Sequence, residues 1–166
     1  MTGRFLITGL PRSRTAWWAV VTGALHEPFS HAGETDRWPD CRGVSDSGVA
    51  PILPHIIERF APRTLIIERP MAEVVGSLAV YLSDVEGLDW KRIYAFLGQA
   101  LCGLRVEHPL IFRLAYSDLS SLETVRSGLA WLKVREPANL EQLLHFNVQS
   151  DLSWNIALLR QRAAAA

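Results

Sequence analysis

Cysteine is almost missing from this chain: its 166 residues hold two, Cys41 and Cys102. Two such residues make neither a disulfide framework nor a metal-binding spacing, so a reducing, cytoplasmic compartment is the expectation that fits. An excess of charge is missing too. The chain carries 17 basic and 17 acidic residues, which argues against the broad cationic surface that nucleic acid or an anionic membrane would select. Neither is expected as a partner. No apolar run reaches the roughly 18 residues of a membrane span. The first residues lack the basic start and long apolar stretch of a signal peptide. Internal repeats are absent as well.

What the chain does have is apolar material, 49% of its residues, enough for a substantial core. The length suits one domain, expected over 1–162, with the low-complexity run Ala163–Ala166 as a frayed tail. The organising stretch is Arg4–Gly23, RFLITGLPRSRTAWWAVVTG. Phe5-Leu6-Ile7 reads as a short buried strand. Thr8–Thr15 is turn-prone and cationic, and Ala16–Leu25 reads as an apolar helix. In a strand-loop-helix junction, the N–H groups at the helix start cradle anions. Arg12 and Arg14 add fixed positive charge suited to bidentate phosphate or sulfate contacts. Ser13 and Thr15 offer hydroxyls. The pattern is not G-x-x-x-x-G-K-[ST]: Arg14 stands five positions after Gly9, and no lysine follows.

Further along, Ala24–His31 reads as a second strand or its exit loop. His26, Glu27 and His31 are residue types that remove protons. Cys41–Ser45 is a candidate short strand after a loop holding Trp38, a ring that either packs onto the body or lines a site. Asp46 or Ser47 is expected to cap a helix running from about Pro51 to Phe60. Thr64–Glu68 is the clearest strand, continuous and β-branched, as in a parallel sheet covered on both faces. Arg69 follows at its C-terminal end, where open α/β sheets bind ligands, and Met71–Leu82 is helical. Leu88–Val106 is amphipathic, its Trp90, Ile93, Phe96, Leu97, Leu101 and Leu104 forming a core stripe. Leu110–Ala115 is another strand. Ser120 to Glu123 fits a capping box for the helix bearing Val125, Leu129, Trp131 and Leu132. Helices are expected around Leu140–Phe146 and over Asp151–Arg162. Alternating strands and helices define an α/β protein with a central parallel sheet of about five strands and helices on both faces.

Three blocks carry a family resemblance. Pro11-Arg12-Ser13-Arg14-Thr15-Ala16-Trp17 resembles the 5′-phosphosulfate loop of sulfotransferases, P-[KR]-S-G-T-x-W, with arginine in place of the usual glycine at Arg14. Arg69-Pro70, with Ser77 eight positions after Arg69, resembles that family's 3′-phosphate motif. Tyr116-Ser117-Asp118-Leu119 resembles the Y-[ED]-D-L that ends a later strand in bacterial members, and is read as structural. The resemblance implies a three-layer α/β/α, P-loop nucleotide-kinase-like fold. It also implies 3′-phosphoadenosine 5′-phosphosulfate (PAPS) as sulfuryl donor and PAP as product, without a metal, and a small-molecule or glycan-like acceptor. Arg12, Ser13, Arg14, Thr15, Ala16 and Trp17 would hold the donor with Arg69 and Ser77. Trp17 or Trp18 would stack on adenine. Glu27, with Phe29 behind it, resembles the glutamate base of glycan-modifying members, and His26 is the rival base. The family's late basic loop is not found; Arg160 and Arg162 are its only substitutes. The other readings are a non-catalytic nucleotide-binding or structural domain and a small P-loop kinase-like phosphotransferase.

Overall fold

Five short strands line up in parallel in the computed structural model, which describes residues 3–29 and 35–145. They are β1 (Phe5–Gly9), β2 (Leu25–His26), β3 (Gly43–Ser45), β4 (Arg63–Glu68) and β5 (Ile111–Ala115), in the order β2-β3-β1-β4-β5. The central strands are apolar on both faces because both faces are covered. β1 is buried throughout, and Leu65, Ile66 and Ile67 of β4 have no exposure. Parallel pairing requires crossovers, which hold α1 (Thr15–Thr22), α2 (Leu53–Phe60), α3 (Met71–Tyr81) and α4 (Trp90–Leu104), while α5 (Leu122–Leu132) and α6 (Leu140–Leu144) follow the last strand.

Two cores result, one on each side of the sheet. On one face Ile7, Leu65, Ile67 and Leu114 pack against Trp17, Trp18 and Val21 of α1, Val125 and Leu129 of α5, and Leu140 of α6. On the other, Leu6, Val44 and Ile66 meet Ile56 and Ile57 of α2 and Leu97, Ala100 and Leu104 of α4. The architecture is three-layered, as expected. Gly103 lets α4 close on the turn before α2, where an added Cβ would stand 2.0 Å from the Ala50 carbonyl oxygen. No helix among the described residues is long and apolar enough to cross a membrane.

Local corrections follow from turns that periodicity does not show. Helix α1 stops at Thr22 because Gly23 takes the left-handed conformation, φ 68°. The cap of α5 is Ser121, whose hydroxyl accepts from the Thr124 N–H; Ser120 belongs to a 3₁₀ turn spanning Tyr116–Ser120. Asp46 does not cap α2. Its buried carboxylate accepts from the N–H groups of Phe29 (3.0 Å) and Gly48 (2.8 Å), tying two loops together. Trp38 packs onto the body, edge-on to Phe29 and Phe60. His31, the Asp151–Arg162 helix with Arg160 and Arg162, and the Ala163–Ala166 tail lie outside the described residues.

Candidate functional site

The loop from β1 to α1 sits at the C-terminal edge of the sheet, between the loops that leave β3 and β4. Strand β1 has to end on a residue without a side chain: a Cβ on Gly9 would meet the Ile67 carbonyl oxygen at 2.6 Å. The loop then turns twice through left-handed backbone, at Arg12 (φ 66°) and at Arg14 (φ 62°), the N-cap of α1. Such conformations cost of order 1–3 kcal/mol in a non-glycine residue and concentrate at ligand-binding loops. No side chain caps α1, so its first-turn N–H groups keep the partial positive charge of a helix start. The Ser13 hydroxyl is buried within the loop and has no hydrogen-bond partner. An orphaned buried hydroxyl beside open amides is what an anion-binding loop leaves for its ligand.

The two cationic motifs meet here. The Arg12 Nε–H donates to Ser77 Oγ at 3.1 Å across 65 residues of sequence, and the guanidinium lies 4.3 Å from the centre of the Tyr81 ring. An N–H of the Arg69 guanidinium donates to the Arg12 carbonyl oxygen. Arg69 also stacks 4.0 Å from the centre of the Tyr116 ring and pairs with Glu73 at 3.4 Å. Burial holds the Arg12 guanidinium below its ordinary pKa; Tyr81 opposes that shift and the neighbouring Arg69 cation adds to it. Two partly desolvated cations that do not neutralise one another favour an incoming anion. Arg69 thus joins the Glu73 pair to the β1–α1 loop.

On the other wing of the sheet, His26 ends β2 and Glu27 follows it in left-handed backbone, φ 51°. The Glu27 N–H donates to the Ser45 carbonyl oxygen at 2.8 Å. Its carboxylate accepts from Ser47 Oγ at 3.1 Å and stands 3.8 Å from His26 Nε2. Both side chains keep part of their surface, 22% for His26 and 30% for Glu27. The Ser45 hydroxyl donates to the Thr15 carbonyl oxygen at 2.7 Å, linking this wing to the start of α1.

No family model matches the sequence, and no curated protein matches it either. Among solved structures the chain is similar to mouse sulfotransferase SULT7A1 complexed with PAP, at a TM-score of 0.60 and 13% identity. The match takes in 93% of this chain and 66% of that one. The fold is sulfotransferase-like.

Within this sulfotransferase-like fold, Arg12, Ser77 and Arg69 come together, with Ser13 and Thr15 in the same loop. Trp17 does not join them as a stacking ring, and neither does Trp18. They are 2% and 0% exposed in the core, and the Trp17 indole N–H donates to the Leu143 carbonyl oxygen at 2.6 Å. Each indole withdraws roughly 150–250 Å² from water, roughly 4–6 kcal/mol of transfer free energy at about 25 cal/mol/Å², so the fold holds both rings inside. Ala16 is half-buried and packs against the core from the first turn of α1. Tyr81 and Tyr116, read from sequence as helix and strand-exit residues, supply the rings that face Arg12 and Arg69. Ser47 and Asp46, read as helix caps, organise the Glu27 wing.

Arg14 stands where the motif that the loop resembles has glycine, and the loop accommodates it in left-handed backbone. Its guanidinium leaves toward the Leu119 carbonyl oxygen (3.4 Å) and the Trp17 ring (5.6 Å). Arg14→Gly should therefore leave thermal stability within about 1 kcal/mol, because relief of the left-handed strain offsets the lost contacts and the looser unfolded chain. Arg14→Val, β-branched at positive φ, should cost roughly 1–3 kcal/mol. Paired thermal melts of the two variants check this contrast.

Proposed function

We propose that this protein is a sulfotransferase that moves a sulfuryl group from PAPS to a hydroxyl or amine acceptor. The observation that carries the reading is the meeting of the β1–α1 loop with the residues after β4: Arg12 on Ser77, and Arg69 on the Arg12 backbone. The buried Ser13 hydroxyl without a partner supports an anionic occupant of the loop. The sulfotransferase-like fold, shared with a protein solved with PAP, supports the same chemistry.

PAPS supplies an activated sulfuryl group on a phosphate leaving group. Arg12, the Ser13 and Thr15 hydroxyls and the N–H groups at the start of α1 would hold the 5′-phosphate, with Arg12 countering charge that grows on the leaving oxygen. Arg69 and Ser77 would hold the 3′-phosphate. Arg12 would first exchange its bond to Ser77 for the ligand, which frees the Ser77 hydroxyl for its own contact. Glu27 would take the acceptor's proton, with Ser47 and His26 fixing its carboxylate. The protein thus acts by positioning and by charge already in place.

A non-catalytic structural domain of the same fold is the second reading. The burial of Trp17 favours it, since that ring is withdrawn from any adenine. Calorimetric titration with adenosine 3′,5′-bisphosphate, set beside ATP with and without magnesium, tests the proposal. Metal-independent binding of the bisphosphate is the expected result. Binding of ATP only in the presence of magnesium would move the protein to the phosphotransferases. Binding of neither would leave a fold without this ligand.

A further inference from the structure

Beside Arg69 lies a cleft of about 740 Å³ at the C-terminal ends of β4 and β5. The volume is that of a small-molecule site, roughly 300–1,000 Å³. The buried Leu10, Ile66 and Leu104 back it from the core, and Pro70, Leu101, Ala115 and Tyr116 give it its accessible apolar lining. Of its lining, the donor-site reading uses Arg69 alone.

The rim carries six charges, and five of them are already committed. Arg113 is paired with Glu68 at 3.0 Å and with Glu107 at 3.5 Å. It also donates to the Leu104 and Val106 carbonyl oxygens, closing the C-terminus of α4. Arg69 is paired with Glu73. The sixth charge is Arg105. Its side chain is exposed at the cleft and has neither ion pair nor hydrogen bond among the described residues. An apolar chamber with one uncommitted cation at its mouth complements a molecule with an apolar body and a single negative charge.

We infer that this cleft binds an apolar small molecule bearing one anionic group, of the aryl or alkyl carboxylate or sulfonate class, with the body on Pro70, Leu101, Ala115 and Tyr116 and the anion on Arg105. The inference goes beyond the sulfuryl-transfer reading and does not depend on it. The site borders the candidate donor site at the Arg69–Tyr116 wall and at Leu10 of the β1–α1 loop.

Two fluorescent probes separate the two halves of the claim: anilinonaphthalene sulfonate, which is anionic, and N-phenylnaphthylamine, its uncharged relative. Both should bind the folded protein with blue-shifted emission. Arg105→Gln should weaken the sulfonate about five- to tenfold, the worth of a charge-assisted contact at an accessible position, and leave the amine unchanged. Leu101→Trp, which fills the chamber, should weaken both probes about tenfold or more while the cooperative melt is retained. Saturating adenosine 3′,5′-bisphosphate should displace neither. Absence of probe binding, equal binding by all three proteins, or displacement of the probes by the bisphosphate would overturn the inference. If the probes behave as expected and the bisphosphate does not bind, the donor-site reading fails and this one stands.

Discussion

Replacing Arg69 with alanine should weaken the binding of adenosine 3′,5′-bisphosphate by about a hundredfold while lowering stability only slightly. The first number follows from two charge-assisted hydrogen bonds to a phosphate at roughly 1.5 kcal/mol each. The second follows from what Arg69 does in the free protein. Its pair with Glu73 is solvent-facing, the glutamate side chain being 53% exposed, and such pairs contribute about 0–1 kcal/mol. Its bond to the Arg12 carbonyl oxygen and its stack on Tyr116 add to that. Removing a cation next to partly buried Arg12 gives some of it back, because Arg69 is among the groups that disfavour the charged form of Arg12. A shift of a few degrees in Tm is the expected net result for a domain of this size. Arg69→Lys refines the test: lysine keeps the charge and loses the planar fork, so its affinity should fall between those of the wild type and Arg69→Ala. Unchanged affinity in Arg69→Ala would remove the 3′-phosphate assignment. A loss of stability as large as the loss of affinity would make Arg69 a strut for the Arg12 loop instead of a ligand.

That prediction rests on parts of the structure that sequence exposes unevenly. Thr64–Glu68 could be read as a buried parallel strand because its composition is continuous and β-branched, and the topology of such sheets then places Arg69 at the ligand edge. The β1–α1 junction was legible for the same reason. The contact between Arg12 and Ser77 was not, since it spans 65 residues and no local pattern encodes which rotamer an arginine adopts. The misplaced roles share that origin. Trp17 matches a motif whose aromatic would face a ligand, yet the chain returns 126 residues later and a Leu143 carbonyl takes its N–H. Asp46 sits where a helix cap would be, but a loop 17 residues upstream claims its carboxylate. Ser120 yields the cap to Ser121 because the intervening 3₁₀ turn shifts the helix start by one residue. Local chemistry identified which residues carry charge and hydroxyls, and long-range packing decided which of them meet.

Glu27→Gln should abolish most turnover and leave donor binding intact. An acceptor must first be found by screening hydroxyl and amine compounds with PAPS and detecting the sulfated product by mass. The geometry makes this substitution a clean one. The amide oxygen of glutamine can still accept from Ser47 Oγ, now 3.1 Å from the carboxylate, and the left-handed backbone at φ 51° is equally open to either residue. What is lost is the capacity to accept a proton, and general base catalysis contributes about 10²–10⁴ in rate. The Kd for the bisphosphate should stay within about twofold, since the proposed donor contacts are those of Arg12, Ser13, Arg69 and Ser77 and a neutral isostere leaves their hydrogen bonds in place. His26→Ala should cost less, because imidazole at 3.8 Å from the Glu27 carboxylate orients and polarises it from the side. The reverse pattern, with turnover lost in His26→Ala and kept in Glu27→Gln, would make histidine the base. Glu27 would then hold the imidazole in its productive orientation, as a carboxylate does in many histidine-based sites. The pair is close enough that one of the two orders must appear if this wing of the sheet performs the chemistry, and turnover untouched by both substitutions would place the base elsewhere.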